Sequence, residues 1–191
     1  MSTLKVSNIQ NGSATNVAMV LDTAGTVKAY STISVGNVTP SSSGAGITFP
    51  ATASASSDAN TLDDYEEGTF TPAFKGSTSD PTVSYNWRYG YYTKIGNQVT
   101  LWFGLNTSSY SGGSGNLYVS LPFVSANRSD NRAPGSIRAT MTFTGQLAPY
   151  NYENTAECYF GTFTSGSATA FLTVSAIGAS NSVQIVLTYT V

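Results

Sequence analysis

Four carboxylates fall within five positions of this chain: Asp63, Asp64, Glu66 and Glu67, out of ten acids in all. Acids this close together could do two kinds of chemistry. They could ligate Ca²⁺ through oxygen, or form an acid–base or acid–nucleophile pair across a glycosidic bond. Neither spacing is met. The alternating acids of an EF-hand loop are missing. Neighbours on one short loop also cannot flank a sugar ring from two sides. A solvated turn ahead of the first strand of the following domain accounts for the cluster more simply. Of the remaining acids, Asp22, Asp58, Asp80 and Asp130 are scattered, and Glu153 and Glu157 sit near a loop–strand junction. There is no histidine, which removes the commonest general base and metal ligand. Cys158 is the only cysteine; it forms no intrachain disulfide and reads as a small buried hydrophobe. The expectation is therefore no catalytic residue, no metal site and no cofactor.

Binding needs other residue types. Sugars are held by flat aromatic faces beside neutral hydrogen-bonding side chains, and Tyr and Trp offer apolar area with a polar handle. Strand aromatics such as Phe103, Phe143 and Tyr189 read as core. Tyr110 lies in the Gly/Ser-rich stretch 106–115, and Tyr150 and Tyr152 follow Pro149 in 146–154. Both stretches read as loops, so these three tyrosines are the candidates for glycan contact. The alternative is packing across a subunit interface, where Tyr is also enriched.

Composition narrows the partners. Only 9% of residues are charged, against roughly 25% in ordinary domains. A formal net charge of −2 argues against a phosphate-tracking face and so against nucleic-acid binding. The opening MSTLKVSNIQ does not resemble a signal peptide. No run of about 20 apolar residues exists to cross a membrane. The expected setting is a cytoplasm, or release from one by lysis.

The elements that must position these residues are strands. Residues 89–105 read as a hairpin: Tyr89, Tyr91, Thr93 and Ile95 alternate with Gly90, Tyr92 and Lys94, and Gly96-Asn97 makes a two-residue turn. The return strand puts Val99, Leu101, Phe103 and Leu105 on one face, and Gln98, Thr100, Trp102 and Gly104 on the other. Further strands are expected at 69–74, with Pro72 at an edge, and at 82–87, 116–121, 136–144, 155–163, 169–176 and 182–191. In 136–144, Ile137, Ala139, Met141 and Phe143 face inward. About nine strands and no helix predict an antiparallel β-sandwich, jelly-roll-like, over residues 61–191.

Residues 1–60 are different material. They hold four charges, Lys5, Asp22, Lys28 and Asp58, and few large apolar residues. Short alternating runs appear: Val27, Ala29, Ile33 and Val35 share a parity, and DTAG at 22–25 separates them from the run 17–21. Ordering this segment costs roughly 1–2 kcal/mol per residue in backbone entropy, and it has no core of its own to offset that. It is expected to order against other chains as a thin β-stalk or anchor, the alternative being a flexible linker. Strands left unpaired in a monomer would be exposed edges, which an oligomer resolves.

Three strings occur in order: LDDYEEGTFTP at 62–72, YTKIGN at 92–97 and SGGSGNLYVSLPF at 111–123. Together they resemble the C-terminal module of tail-fibre-like virion proteins of marine and cyanobacterial bacteriophages. The stretch 44–68 is similar to the junction leading into that module, and the opening ten residues resemble the start of many such proteins. The resemblance covers most of 44–191. It implies a homotrimeric β-rich fibre or spike. An N-terminal part would attach to other virion proteins, and a C-terminal head would reach a host surface glycan. The expected location is the virion, assembled in the host cytoplasm. Such fibres are often far longer, so a short tail fibre or fibre tip is expected. A capsid-decoration (head-fibre) protein and a glycan-cleaving tail depolymerase are the alternatives. The antiparallel alternation does not suggest the parallel β-helix that would house depolymerase carboxylates.

Overall fold

The computed structural model describes residues 8–9, 19–21, 27–29, 32–36, 38–52, 56–58, 60–129 and 132–191. The chain divides into two compact units, Met1–Asp64 and Tyr65–Val191. Among the described residues both are built on strands, with one short 3₁₀ turn in the second.

In the first unit, β1 (Asn8–Ile9), β2 (Met19–Leu21) and β3 (Val27–Ala29) form an antiparallel sheet. Separately, β4 (Ile33–Ser34) runs parallel to β5 (Ile47–Thr48). Lys5, the 22–25 turn, Thr26 and Val17 lie outside the described residues.

The second unit is an antiparallel sandwich. Its strands are β6 (Tyr65–Thr69), β7 (Phe74–Gly76), β8 (Thr82–Ile95), β9 (Gln98–Ser111), β10 (Leu117–Ser120), β11 (Ser136–Ala139), β12 (Gln146–Asn151), β13 (Glu157–Phe163), β14 (Ala170–Phe171) and β15 (Ser182–Thr190). One sheet has the order β11-β15-β9-β8-β6; the other has β12-β13-β10-β7, with β14 also on β13. Their inner faces share one core. Val99, Leu101, Phe103 and Leu105 of β9 and Val183, Ile185, Leu187 and Tyr189 of β15 come from the first sheet. Phe74, Leu117, Val119, Cys158 and Phe160 come from the second. Tyr189 anchors the rim by donating its hydroxyl to the Phe123 carbonyl at 3.0 Å.

The 89–105 hairpin is real but longer than expected, two 14-residue strands. Gly96 at φ +56° opens its turn. A positive φ at the first central residue and not at Asn97 is the type II′ pattern, which suits strand twist. The pairing register shifts around Tyr85 and Trp87. This bulge at Asn86 reverses the alternation. Tyr85 packs toward Phe74 and the core, while Trp87, two residues on, stacks on Tyr89 over the outer face.

Several expected boundaries move. Residues 69–74 are not one strand: β6 ends at Thr69 and β7 begins at Phe74, so Pro72 lies where the chain changes sheets. The acidic cluster is not a turn, since Glu66 and Glu67 belong to β6. The Gly/Ser stretch after Asn106 continues β9 as far as Ser111. Residues 146–151 are strand β12 rather than loop. The strand at 136–144 stops at Ala139, so Phe143 falls beyond the alternation and is exposed rather than core. Residues 174–176 form the 3₁₀ turn.

Adjacent residues of β9 test this register. Phe103→Ala should cost about 3–5 kcal/mol in denaturant unfolding, as a fully buried ring lost from the core. Trp102→Ala should cost about 1 kcal/mol or less, because its ring lies on the outer face. Similar costs at the two positions would contradict the assignment of faces.

Candidate functional site

The acidic residues do not converge. Asp63, in the first unit, accepts a hydrogen bond from the Ser56 amide at 2.6 Å. Glu66 and Glu67 alternate across β6, as successive strand residues must. Glu66 accepts from the Tyr92 hydroxyl and Glu67 from that of Tyr65. Donation to Glu66 pushes the Tyr92 phenol up to about 12. Among the described residues, no group of three or more Cys, Asp and Glu side chains could hold a metal ion. No described helix is long and apolar enough to cross a membrane. Cys158 is fully buried, and burial pushes its thiol far up.

The tyrosine candidates separate. Tyr110 is near the end of β9, opposite Val83 of β8, on the sheet that does not carry the other two. Tyr150 and Tyr152 come together with three rings that the sequence reading did not single out: Tyr118, Tyr159 and Phe171. Cross-strand register does this. Tyr150 and Tyr118 are both partners of Tyr159, on β12 and β10 respectively. All three alternate outward, because Cys158 and Asn151 point inward. Phe171 on β14 closes the group.

The geometry is tight. Ring centroids lie 5.3 Å apart for Tyr118–Tyr159, 5.4 Å for Tyr150–Tyr152 and for Tyr152–Tyr159, and 5.6 Å for Tyr150–Phe171. The Tyr150 and Tyr152 hydroxyls are 3.3 Å apart. Arg132 lies 4.7 Å from the Tyr152 ring centre and pairs with Glu153 at 3.3 Å. Tyr159 donates to Glu157 at 2.6 Å. The Tyr152 carbonyl is fixed by the Ser125 hydroxyl at 2.5 Å and the Thr155 hydroxyl at 3.0 Å. Burial raises the phenols of Tyr118, Tyr150 and Tyr159; hydrogen bonding to Tyr152 adds to this for Tyr150, and to Glu157 for Tyr159. The result is a half-buried aromatic floor edged by hydroxyls and one ion pair. Rings occupied by one another in this way offer edges and hydroxyls more than open faces.

The opposite outer surface carries a second aromatic group that the sequence reading did not assemble: Trp87, Tyr89, Tyr91 and Trp102. The signal available was Trp102, which alternation already places away from the core face of β9. Unbroken register from the turn sets Tyr91, Tyr89 and Trp87 opposite Trp102, Gly104 and Asn106 on the same side, and the bulge before Trp87 turns Tyr85 away from them.

The fold and surface thus define an all-β chain whose head presents aromatic groups on both sheet faces. No protein-family model matches the chain, and no curated protein matches it. Among solved structures, the crystal structure of the Dettilon tailspike protein is similar at 23% sequence identity, with a TM-score of 0.48 over 66% of this chain. The match takes in 24% of that chain.

The tyrosine cluster has an alkaline signature. Burial disfavours the phenolate, so this packing is intact below a pH of about 10. It is lost as pH rises through the raised values. In an ultraviolet titration, part of the signal from the twelve tyrosines should stay un-ionised past that point. That part should then titrate together with loss of near-ultraviolet circular dichroism. A single smooth transition near the ordinary value, with the fold retained, would contradict the packing described.

Proposed function

We propose that this chain is a structural protein of a bacteriophage virion, a short tail fibre or fibre tip. In this reading it works as a homotrimer whose head attaches to the host surface. The observation that carries the reading is the contrast between the two units. Among the described residues, every buried apolar side chain belongs to the sandwich, from Phe74 to Tyr189. In the first unit, Val27, Ile33, Val35 and Ile47 are all exposed, Val27 at 58% and Ile47 at 55%. Two- and three-residue strands with uncovered apolar side chains gain stability when other chains cover them. A symmetric appendage supplies such chains, and the sequence strings in 44–123 resemble a module of that kind. Other virion proteins would be the partners of residues 1–60.

The proposed role is binding, with no catalytic step. Its support is geometric. The two clustered carboxylates of the head, Glu66 and Glu67, leave opposite faces of one strand and each accepts a tyrosine hydroxyl, so they cannot bracket one bond. For attachment, the surface tyrosines remain the candidates: Tyr150 and Tyr152 with their cluster, and Tyr110 separately.

Light scattering on the purified full chain at micromolar concentration should give the mass of three 20.0 kDa subunits. A monomer with a folded head would overturn the assembly. Gold-labelled antibody should mark the tail of intact particles; label spread over the capsid would replace attachment by decoration. Tyr150→Ala with Tyr152→Ala should reduce adsorption to host cells while leaving the trimer intact. Unchanged adsorption would remove those two residues.

A further inference from the structure

The outer face of the sheet β11-β15-β9-β8-β6 can be mapped by register. Tyr91 stands beside Trp102, and Trp102 beside Val186. In the next row, Tyr89 is opposite Gly104, which is opposite Gln184, which is opposite Arg138. A row on the other side holds Thr93, Thr100 and Thr188. Trp87 stacks on Tyr89 with centroids 5.6 Å apart and planes 20° from parallel. Trp102 meets Tyr89 edge-on and Tyr91 at a tilt, at 6.5 and 6.4 Å. Gly104 makes this arrangement fit: a Cβ there would come within 3.0 Å of the Tyr89 ring and 3.1 Å of the Trp87 ring. The missing side chain lets two rings lie over the strand instead of standing off it.

Around the rings, the groups within reach are uncharged. Gln184 donates to the Tyr89 hydroxyl at 3.1 Å and accepts from Arg138 at 3.4 Å. Thr100 and Thr188 share a hydrogen bond at 3.0 Å. The charges are at opposite margins and engaged, Arg138 with Gln184 and Glu67 with Tyr65. Trp87, Tyr91 and Trp102 remain 39, 52 and 58% exposed.

We propose that this face is a binding site for a neutral saccharide chain. The open Trp102 and Tyr91 rings would lie under the C–H faces of the sugar. Gln184, the Tyr89 hydroxyl and the threonine row would hydrogen-bond its hydroxyls. Two observations choose this occupant over a second copy of the chain. First, area: rings of roughly 150–250 Å² each leave on the order of 300 Å² open at these exposures. A standard protein interface takes roughly 800 Å² per partner, about 57% of it non-polar, or roughly 450 Å² of apolar surface, more than these rings offer. Second, the surround: the row of Tyr91, Trp102 and Val186, the last 45% exposed, ends in Thr69 and Ser136, and the rows on either side carry hydroxyl and amide groups. Such a rim complements a polyol. The site lies on the other sheet from Tyr150 and Tyr152 and does not depend on the virion assignment.

The measurement is direct, because Trp87 and Trp102 are the only two tryptophans in the chain. Intrinsic tryptophan emission of the full-length protein therefore reports on this face alone. A glycan microarray should show retention of fluorescently labelled protein on neutral glycans. Titration with the best of these, or with maltohexaose, cellohexaose and chitohexaose, should shift or quench the emission saturably. Trp102→Ala and Tyr91→Ala should weaken array binding roughly tenfold each, the loss of one stacking face. Their circular dichroism and oligomer mass should be unchanged, and Trp102→Phe should recover much of the binding. No binding across the neutral glycans would overturn the proposal, as would binding that Trp102→Ala leaves intact. Emission that ignores sugar but changes with protein dilution, with a lower mass for Trp102→Ala, would also overturn it and give the face to a second copy.

Discussion

The structure depends on the contact between the inner face of β9 and β15 and the sheet opposite. Val99, Leu101, Phe103, Leu105, Val183, Ile185, Leu187 and Tyr189 are all buried on one side of two adjacent strands. Each is worth roughly 1.5–3 kcal/mol of burial. A one-residue slip would turn the whole set outward, forfeiting on the order of 10–20 kcal/mol, as much as or more than the 5–15 kcal/mol that holds a typical domain together. Register is therefore the quantity this fold cannot vary. Everything on the outer face inherits its position from it: Trp102 is outside because Leu101 and Phe103 are inside.

That constraint separates what could be read in the sequence from what could not. The β9 and β15 faces were legible because their alternation is unbroken and the burial follows it residue by residue. The Gly96-Asn97 turn was legible because its geometry needs glycine. The reading failed where a local signal had a second meaning. Pro149 suggested a loop, yet β12 is an edge strand, where a missing amide donor is tolerated. Gly135 donates to its carbonyl at 2.8 Å, so that edge is partly covered. Serine, threonine and tyrosine after Asn106 suggested a loop for Tyr110, yet β8 pairs with Thr107 and with Ser109, Tyr110 and Ser111, leaving only Ser108 out of register. Alternation through Phe143 looked like strand, but the ladder on β15 ends with the Thr140 amide on the Ser182 carbonyl. In each of these, tertiary pairing decided what composition alone left open.

The surface candidates show the same division. Tyr150 and Tyr152 were recognisable as unusual, but their company was not. Tyr118, Tyr159 and Phe171 reach them only through cross-strand register and the β13–β14 pairing. The Trp87–Trp102 group follows from the turn register, which sets Trp87, Tyr89 and Tyr91 opposite Asn106, Gly104 and Trp102. The non-local fact is the bulge at Asn86, without which strict alternation would put Tyr85 on the same outer face. The amide of Asn86 hydrogen-bonds Asn106 at 2.6 Å and the Thr107 carbonyl at 3.3 Å, which holds the extra residue in place. A single inserted position thus lets Tyr85 pack against the core while Trp87, Tyr89 and Tyr91, of the same parity, stay on the outer face.

The two aromatic faces differ in the way their chemistry requires. On the β12-β13-β10 side the rings are packed on one another, and the nearby charges are close enough to form an ion pair and a carboxylate–phenol hydrogen bond. Such a surface offers hydroxyls and ring edges for hydrogen bonding rather than open faces for stacking. On the β8-β9-β15 side the rings keep open faces, and the polar groups around them are hydroxyls and amides. This follows from a composition with few ions and many Ser, Thr, Gly and Asn residues. A sparsely charged outer sheet has little Coulombic attraction to offer, so its contacts must be made by shape, stacking and neutral hydrogen bonds. The low charge that argued against nucleic acid and the open tryptophans that favour an uncharged ligand are thus consequences of one choice of surface chemistry.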